Sequence, residues 1–137
     1  MYAEGRPHPL KGPCEAILEL AGEHLGSFLT SAEVLQEIVH RNLAQNSWEV
    51  GKQLLLESVT LMENRIEPML PQDVVSAAKL ADCYPALSAR DLIHVAIAVR
   101  AGATHIVSAD TAFDVVTEIE RLDPLRVAEW RGEVSAQ

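Results

Sequence analysis

The clearest structural signal in this chain lies in residues 88–114, which read SARDLIHVAIAVRAGATHIVSADTAFD. Nearly every residue between Leu92 and Val99 is apolar, and this predicts a helix that is buried on more than one side. Gly102 ends that helix, and residues 105–108 predict a short buried strand of the kind that lies in a parallel sheet. A buried helix followed closely by a buried strand indicates an α/β protein.

The segments before and after this stretch continue the alternation. Apolar residues at helical spacing, together with helix-start residues, predict helices at residues 13–24, 32–43, 48–62, 71–83 and 110–120. Strands are predicted at residues 27–30, 66–70 and 125–130. Short strands separated by helices predict a mostly parallel sheet with helices on both faces.

Length and charge limit what the protein can do. The chain has 137 residues, enough for one domain, with residues 1–12 as an N-terminal lead and residues 131–137 as a loose tail. Eleven basic and 20 acidic residues give a net charge of -9, which repels a phosphate backbone. Aromatic residues make up only 4%, too few for a base-stacking platform. Phosphate chemistry would therefore need a metal cation or a local basic rim.

Several classes of protein are not supported by the sequence. Residues 1–12 lack the apolar core of a signal peptide, and no run reaches the roughly 18 apolar residues of a membrane span. Cys14 and Cys83 have no CxxC spacing and predict reduced thiols in a cytoplasmic protein. The five His residues show no zinc-site spacing, and the dinucleotide, P-loop and GxSxG motifs are absent.

Acidic residues lie where an α/β sheet gathers its active groups, at the carboxyl ends of strands. Asp110 follows the strand at residues 105–108, and Asp114 comes four residues later. Asp91 lies in the first turn of the buried helix, and Glu37 lies in the helix that follows the strand at residues 27–30. Carboxylates that converge repel one another unless a divalent cation lies between them.

Structural explanations are available for the same four residues. Asp91 and Asp114 each complete a capping-box pattern, and Asp110 can be a helix N-cap. Glu37 falls on the polar side of its predicted helix and can pair with Arg41 at i+4. Spacing alone leaves both interpretations open.

The same stretches resemble a known family, the PIN-domain ribonucleases, and in particular the VapC toxins of toxin–antitoxin pairs. That pattern is an Asp opening a buried aliphatic helix, a Gly, a short strand, then Thr or Ser, any residue, Asp, and a Phe three positions on. Residues 88–102 and 105–114 resemble it closely. Residues 30–37 resemble a second family motif, a Thr or Ser followed by an essential Glu.

The resemblance implies a PIN-like three-layer α/β/α fold and a metal site. Glu37, Asp91 and Asp110 match the metal-binding acids, Asp114 matches a fourth acid that assists them, and Ser108 matches a neighbouring hydroxyl. It also implies Mg²⁺- or Mn²⁺-dependent hydrolysis of RNA phosphodiester bonds, leaving a 5′-phosphate and a 3′-hydroxyl. The implied protein partners are a small antitoxin that inserts a basic residue at the acids and a second copy of this chain.

One family feature has no counterpart here. The family begins with a strand ending in an Asp that binds metal, whereas no Asp occurs in this chain before Asp73. We expect Met1 to be an internal methionine of a longer natural protein. The alternative is a catalytically impaired PIN-fold protein that acts by binding an antitoxin or another protein. DNA cleavage, another α/β hydrolase and a phosphate-binding protein are weaker alternatives.

Overall fold

The computed structural model of the protein describes residues 11–135. The chain divides into two compact units, one of Met1–Ile66 with Pro124–Gln137 and the other of Glu67–Asp123. The described α-helices are α1 (Lys11–Glu23), α2 (Ala32–Ala44), α3 (Trp48–Leu61), α4 (Pro71–Cys83), α5 (Ala89–Arg100) and α6 (Val127–Ser135). The described strands are β1 (Thr30–Ser31), β2 (Ile66–Glu67), β3 (His105–Val107) and β4 (Glu120–Leu122).

In the first unit, α2 begins at a side-chain cap. Ser31 Oγ accepts a hydrogen bond from Val34 N–H at 3.2 Å, which satisfies one of the unpaired amides at the helix start. Strand β1 pairs with the start of β2 in this unit, and Thr30 N–H donates to the Arg65 carbonyl oxygen at 2.9 Å. The buried apolar residues of this unit are Leu20, Ala21, Ile38, Leu54, Met62 and Trp130.

In the second unit, α4 and α5 pack together and β3 pairs with β4 in parallel. The predicted burial of α5 is confirmed, since Val95 is fully buried and four other residues of the helix are buried with it. The core of this unit is Ala77, Leu87, Leu92, Val95, Ala96, Ala98, Phe113, Val116 and Ile119. The helix that carries Asp91 is therefore anchored along most of its length.

A buried ion pair joins α4 to the end of α5. Asp73 is 1% exposed, and its Oδ1 accepts a hydrogen bond from Arg100 Nε at 2.8 Å. Its Oδ2 accepts one from Leu70 N–H at 2.8 Å, at the start of α4. The same guanidinium donates to Glu67 Oε2 at 3.1 Å and to the Pro68 carbonyl oxygen at 2.7 Å. Arg100 thus fixes the segment that leads into α4.

The predicted α/β class is confirmed, and so is the parallel pairing of strands. One central sheet was expected, whereas the described strands form two separate pairs, β1 with β2 and β3 with β4. Each of these strands is only two or three residues long, shorter than the usual strand of five or six. The predicted strand at residues 27–30 is displaced, because Leu25–Ser27 forms a 3₁₀ turn before β1.

The prediction of a helix at residues 110–120 is wrong. Thr111–Val115 forms a 3₁₀ helix, and the chain then extends into β4. Val115, Val116, Thr117 and Ile119 are β-branched, and such side chains lose rotamer freedom in a helix. The apolar spacing suggested one helix, but the structure buries Phe113, Val116 and Ile119 from a 3₁₀ helix and the bend that follows it. It leaves Val115 and Thr117 exposed.

The strand predicted at residues 125–130 is also wrong. Pro124–Arg126 is a 3₁₀ turn, and α6 follows from Val127 and occupies much of the predicted loose tail. Pro124 and Trp130 are buried and Val127 is half-buried, and this spacing of three residues is that of helical turns and not the two-residue alternation of a strand. Residues 1–10 of the predicted lead lie outside the described residues. Among the described helices, none has the length and hydropathy needed to cross a bilayer.

Candidate functional site

Asp91 lies in the first turn of α5 and takes part in a reciprocal cap with Ser88. Ser88 Oγ accepts a hydrogen bond from Asp91 N–H at 3.1 Å, and Asp91 Oδ2 accepts one from Ser88 N–H at 3.2 Å. The predicted capping box is therefore confirmed. The bond from Ser88 N–H occupies one of about four lone-pair sites on the Asp91 carboxylate, so this carboxylate can cap the helix and bind a cation at the same time.

Asp110 is exposed and lies just beyond the carboxyl end of β3. Its Oδ1 accepts a hydrogen bond from Ala112 N–H at 2.9 Å, which makes it the N-cap of the 3₁₀ helix Thr111–Val115. Its own N–H donates to Ser108 Oγ at 3.0 Å. The hydroxyl of Ser108 therefore holds the backbone of Asp110 in place. Groups next to metal ligands commonly orient the ligands in this way.

Asp114 is exposed and forms a two-point ion pair with Arg121. Arg121 Nε donates to Asp114 Oδ1 at 2.7 Å, and Arg121 Nη2 donates to Asp114 Oδ2 at 3.3 Å. Hydrogen bonding to Arg121 lowers the pKa of Asp114 and raises the pKa of Arg121. The capping box predicted for Asp114 is not formed, since Asp110 caps this turn and Asp114 pairs with arginine.

Arg121 is a further residue of this region, and no sequence motif pointed to it. Its side chain is only 13% exposed, and besides Asp114 it contacts the Ser108 carbonyl oxygen through Nη1 at 3.0 Å and Asp123 through the same nitrogen at 4.0 Å. Arg121 and Asp114 are seven residues apart and lie in different elements. The contact of β4 with the 3₁₀ helix Thr111–Val115 brings Arg121 to Asp114, and the pairing of β3 with β4 brings it to Ser108.

Glu37 belongs to the first unit, whereas the three aspartates belong to the second. It lies in the middle of α2, six residues after the cap at Ser31, and its side chain is half-buried. It interacts with other groups of the protein. That Glu37 shares one metal site with the aspartates stays a prediction.

The donor chemistry of this region fits a hard cation in part. Asp91 and Asp110 offer carboxylate oxygens, the ligands that Mg²⁺ prefers. Both oxygens of Asp114 are engaged by Arg121, so as arranged Asp114 serves an ion pair. Within residues 11–135, no three His, Cys, Asp or Glu side chains are grouped so that they could hold a metal ion.

Comparison with known proteins defines the family. The PIN domain family matches residues 1–119, and the chain belongs to that family. It is 39% identical to Ribonuclease VapC23 of Mycobacterium tuberculosis over 113 residues, covering 80% of this chain and 86% of that protein. It is 36% identical to Ribonuclease VapC13 of the same organism over 125 residues, covering 89% and 92%.

A third relative extends the match. Ribonuclease VapC7 of Mycobacterium tuberculosis is 30% identical over 124 residues, covering 90% of this chain and 86% of that protein. No solved structure gives a significant match. The resemblance drawn from residues 88–114 to the PIN family and its VapC members is therefore confirmed.

Proposed function

We propose that this chain is a divalent-metal-dependent endoribonuclease that hydrolyses RNA phosphodiester bonds and is the toxin of a toxin–antitoxin pair. One observation carries the proposal. Three relatives named as VapC ribonucleases align with 80–90% of the chain at 30–39% identity. Relatives that align over so much of both chains favour the same class of reaction, hydrolysis of RNA.

The placement of two aspartates supports this reaction. Asp91 opens a helix buried in the core, and Asp110 follows the carboxyl end of a strand in a parallel pair. Active groups of α/β proteins gather at such strand ends. A helix and a strand hold such carboxylates in position more accurately than a long loop would.

Glu37, Asp91 and Asp110 would hold the cation, and Asp114 would assist them. Bound Mg²⁺ or Mn²⁺ supplies positive charge against the phosphate and makes water a better nucleophile at neutral pH. The protein's own groups orient the acids, through the Ser88 cap on Asp91 and the Ser108 hydroxyl behind Asp110. No side-chain nucleophile is required for hydrolysis by water.

Cleavage of a single-stranded RNA with Mg²⁺ or Mn²⁺ tests the proposal. We expect cleavage to stop in EDTA, and Asp91→Asn or Asp110→Asn to lower kcat by at least about 100-fold, because the charge that holds the cation is lost. Asp82→Asn is the matched control, since Asp82 is an exposed aspartate of the same unit. Equal cleavage in EDTA would refute the role of the metal.

A catalytically impaired PIN-fold protein is the second candidate. It is favoured by the two-point ion pair in which Arg121 engages both carboxylate oxygens of Asp114, the fourth acid of the family pattern. Titration with Mn²⁺ separates the two. No binding at millimolar Mn²⁺, with intact binding of a partner protein, would favour the impaired form.

The partners follow from the same proposal. A small antitoxin would place a basic residue against the aspartates, because an acidic site favours a cationic group. A second copy of the chain would form a homodimer. An RNA substrate and the free thiol of Cys83 fit the cytoplasm. Size-exclusion chromatography with light scattering, with and without the co-expressed antitoxin, tests both assemblies.

A further inference from the structure

Arg121 uses all three of its guanidinium nitrogens on the segment that carries Asp110. Nε and Nη2 hold the carboxylate of Asp114, and Nη1 holds the carbonyl oxygen of Ser108. These two contacts lie on either side of Asp110 in the sequence. The arginine itself is fixed in β4, opposite Ile106 of β3.

Most of the segment between Ser108 and Asp114 belongs to the 3₁₀ helix Thr111–Val115, in which hydrogen-bond geometry is poorer than in an α-helix. Within it, Phe113 N–H donates to the Asp110 carbonyl oxygen at a long 3.4 Å, as expected of a short 3₁₀ turn. Side chains add two bonds, since Ser108 Oγ accepts from Asp110 N–H and Asp110 Oδ1 accepts from Ala112 N–H. The contacts at the two ends of the segment therefore add to the bonds that hold its conformation.

A planar guanidinium suits this task better than an ammonium group would. It offers donors in a rigid fork, so it can bind a carboxylate at two points and a carbonyl oxygen at a third. The ion pair between Arg121 and Asp114 contributes little to the stability of the protein, because the Asp114 side chain is 53% exposed and solvent screens the attraction. Fixing geometry is the role that these contacts support.

We propose that Arg121 is a positioning residue, which holds residues 108–114 through Asp114 and the Ser108 carbonyl oxygen and so places Asp110. The inference rests on the proposed function in one respect, that Asp110 binds the cation. Asp114 then acts through Arg121 and serves as the anchor of the turn.

The test compares Arg121→Gln, Arg121→Lys, Asp114→Asn and the double variant Arg121→Gln/Asp114→Asn. Arg126→Gln is the matched control, an exposed arginine paired with Glu129 at 3.7 Å. The first measurement is amide hydrogen exchange at Ala112 in metal-free protein. We expect Arg121→Gln to speed it by at least about tenfold, because the turn opens more often.

The second measurement is Mn²⁺ affinity by electron paramagnetic resonance. We expect Arg121→Gln and Asp114→Asn each to weaken binding by about 10- to 100-fold, as groups that orient a ligand do. The double variant should bind Mn²⁺ no more weakly than Arg121→Gln does, because both substitutions remove the same contact between Arg121 and Asp114. Arg121→Lys should recover part of the affinity.

Three outcomes separate the possibilities. If Arg121→Gln matches Arg126→Gln in exchange and affinity, the positioning role is overturned. If Asp114→Asn weakens Mn²⁺ binding further in the Arg121→Gln background, Asp114 is itself a ligand and its role as an anchor is overturned. If the unsubstituted protein binds no Mn²⁺, the proposed metal site fails, while faster exchange in Arg121→Gln would still support the hold of Arg121 on the turn.

Discussion

Asp91 takes part in the cap of α5 and Asp110 caps the 3₁₀ helix Thr111–Val115. These capping hydrogen bonds do not compete with cation binding. The cap on Asp91 uses Oδ2 and the cap on Asp110 uses Oδ1, and each carboxylate has further lone pairs. The same contact that satisfies a backbone amide also restricts the rotation of the side chain. The capping contacts at these positions therefore also hold each carboxylate in a fixed orientation for binding a cation.

Asp73 illustrates the opposite case, a carboxylate whose role is stability. Burial raises the pKa of Asp73, but hydrogen bonds from Arg100 and Leu70 N–H and the charge of Arg100 outweigh burial, so the pKa lies below its usual value. We expect Asp73→Asn to lower the free energy of unfolding at pH 7 by about 1.5–3 kcal/mol, as for hydrogen bonds to a charged group.

The pH dependence of this difference checks its cause. A lowered folded-state pKa means that the stabilisation is present above the unfolded value, about 3.9, and is lost as pH falls through the folded value. Urea unfolding of the unsubstituted protein and Asp73→Asn should therefore converge as pH drops below about 4. Asp82→Asn, in the same helix but exposed, should differ little from the unsubstituted protein at any pH. A constant gap between the two curves would contradict this explanation.

At the scale of the element, α5 depends on its first turn. Ser88→Ala removes the hydroxyl that accepts from Asp91 N–H, and we expect a loss of about 1 kcal/mol in unfolding free energy. Chemical denaturation measures this loss. Ser76→Ala is the control, because Ser76 is exposed inside α4 and alanine is the better helix former there. An equal effect at both positions would contradict a capping role.

The contact of α2 with α3 depends on a glycine. Gly51 is buried in α3, and a Cβ built there would lie 2.3 Å from Asn42 Cβ. We expect Gly51→Ala to destabilise the protein by roughly 1–3 kcal/mol, because the side chain of Asn42 is held by Ile38 and Ser47 and cannot yield. Thermal unfolding measures the change.

Gly132 supplies the matched control for Gly51. It lies exposed in α6, and a Cβ there would meet nothing within 4 Å. Gly132→Ala should raise stability by about 0.5–1 kcal/mol, through helix propensity alone. If Gly51→Ala were also stabilising, α2 and α3 would not require a glycine at their contact.

Sequence patterns identified the elements whose caps and apolar spacing agree. Helices α4 and α5 begin within a residue or two of their predicted starts, because Pro71 and Ser88 act locally. Residues 110–120 were misassigned, because Phe113, Val116 and Ile119 are buried at intervals of three residues, a spacing that an α-helix also produces. The pairing of residues 120–122 with β3 ends the helical segment, and that contact is not local.

The candidate site was predictable to a similar extent. Asp91 and Asp110 could be selected from their positions at a helix start and a strand end. Glu37 was selected over Glu33 only by the family resemblance, since both face the same side of α2. Arg121 gave no local signal, because its partners Ser108 and Asp114 reach it through the fold.

At the scale of the whole molecule, the family match from residue 1 to residue 119 covers parts of both compact units. The prediction of a single domain over residues 1–137 stays a prediction. The net charge of -9 belongs to the chain as a whole and opposes the binding of a polyanion. At least three arginines of the described residues bind other groups of the protein: Arg65 binds the carbonyl oxygens of Gly26 and Phe28, Arg100 binds Asp73 and Glu67, and Arg121 binds Asp114 and the Ser108 carbonyl oxygen.

This charge predicts an unusual salt dependence for RNA cleavage. A protein that neutralises phosphates releases counterions, and its affinity for single strands falls with salt by a slope of about 0.7 per phosphate contact. With a net charge of -9, and with several arginines bound within the protein, we expect fewer than about two such contacts, so KM should rise less than about tenfold between roughly 50 and 200 mM KCl at constant Mg²⁺. Steady-state cleavage of one short RNA measures KM, with kcat as the internal control for folding. A rise of about 300-fold or more, as six contacts would give, would contradict the argument and indicate a basic surface built by a second chain.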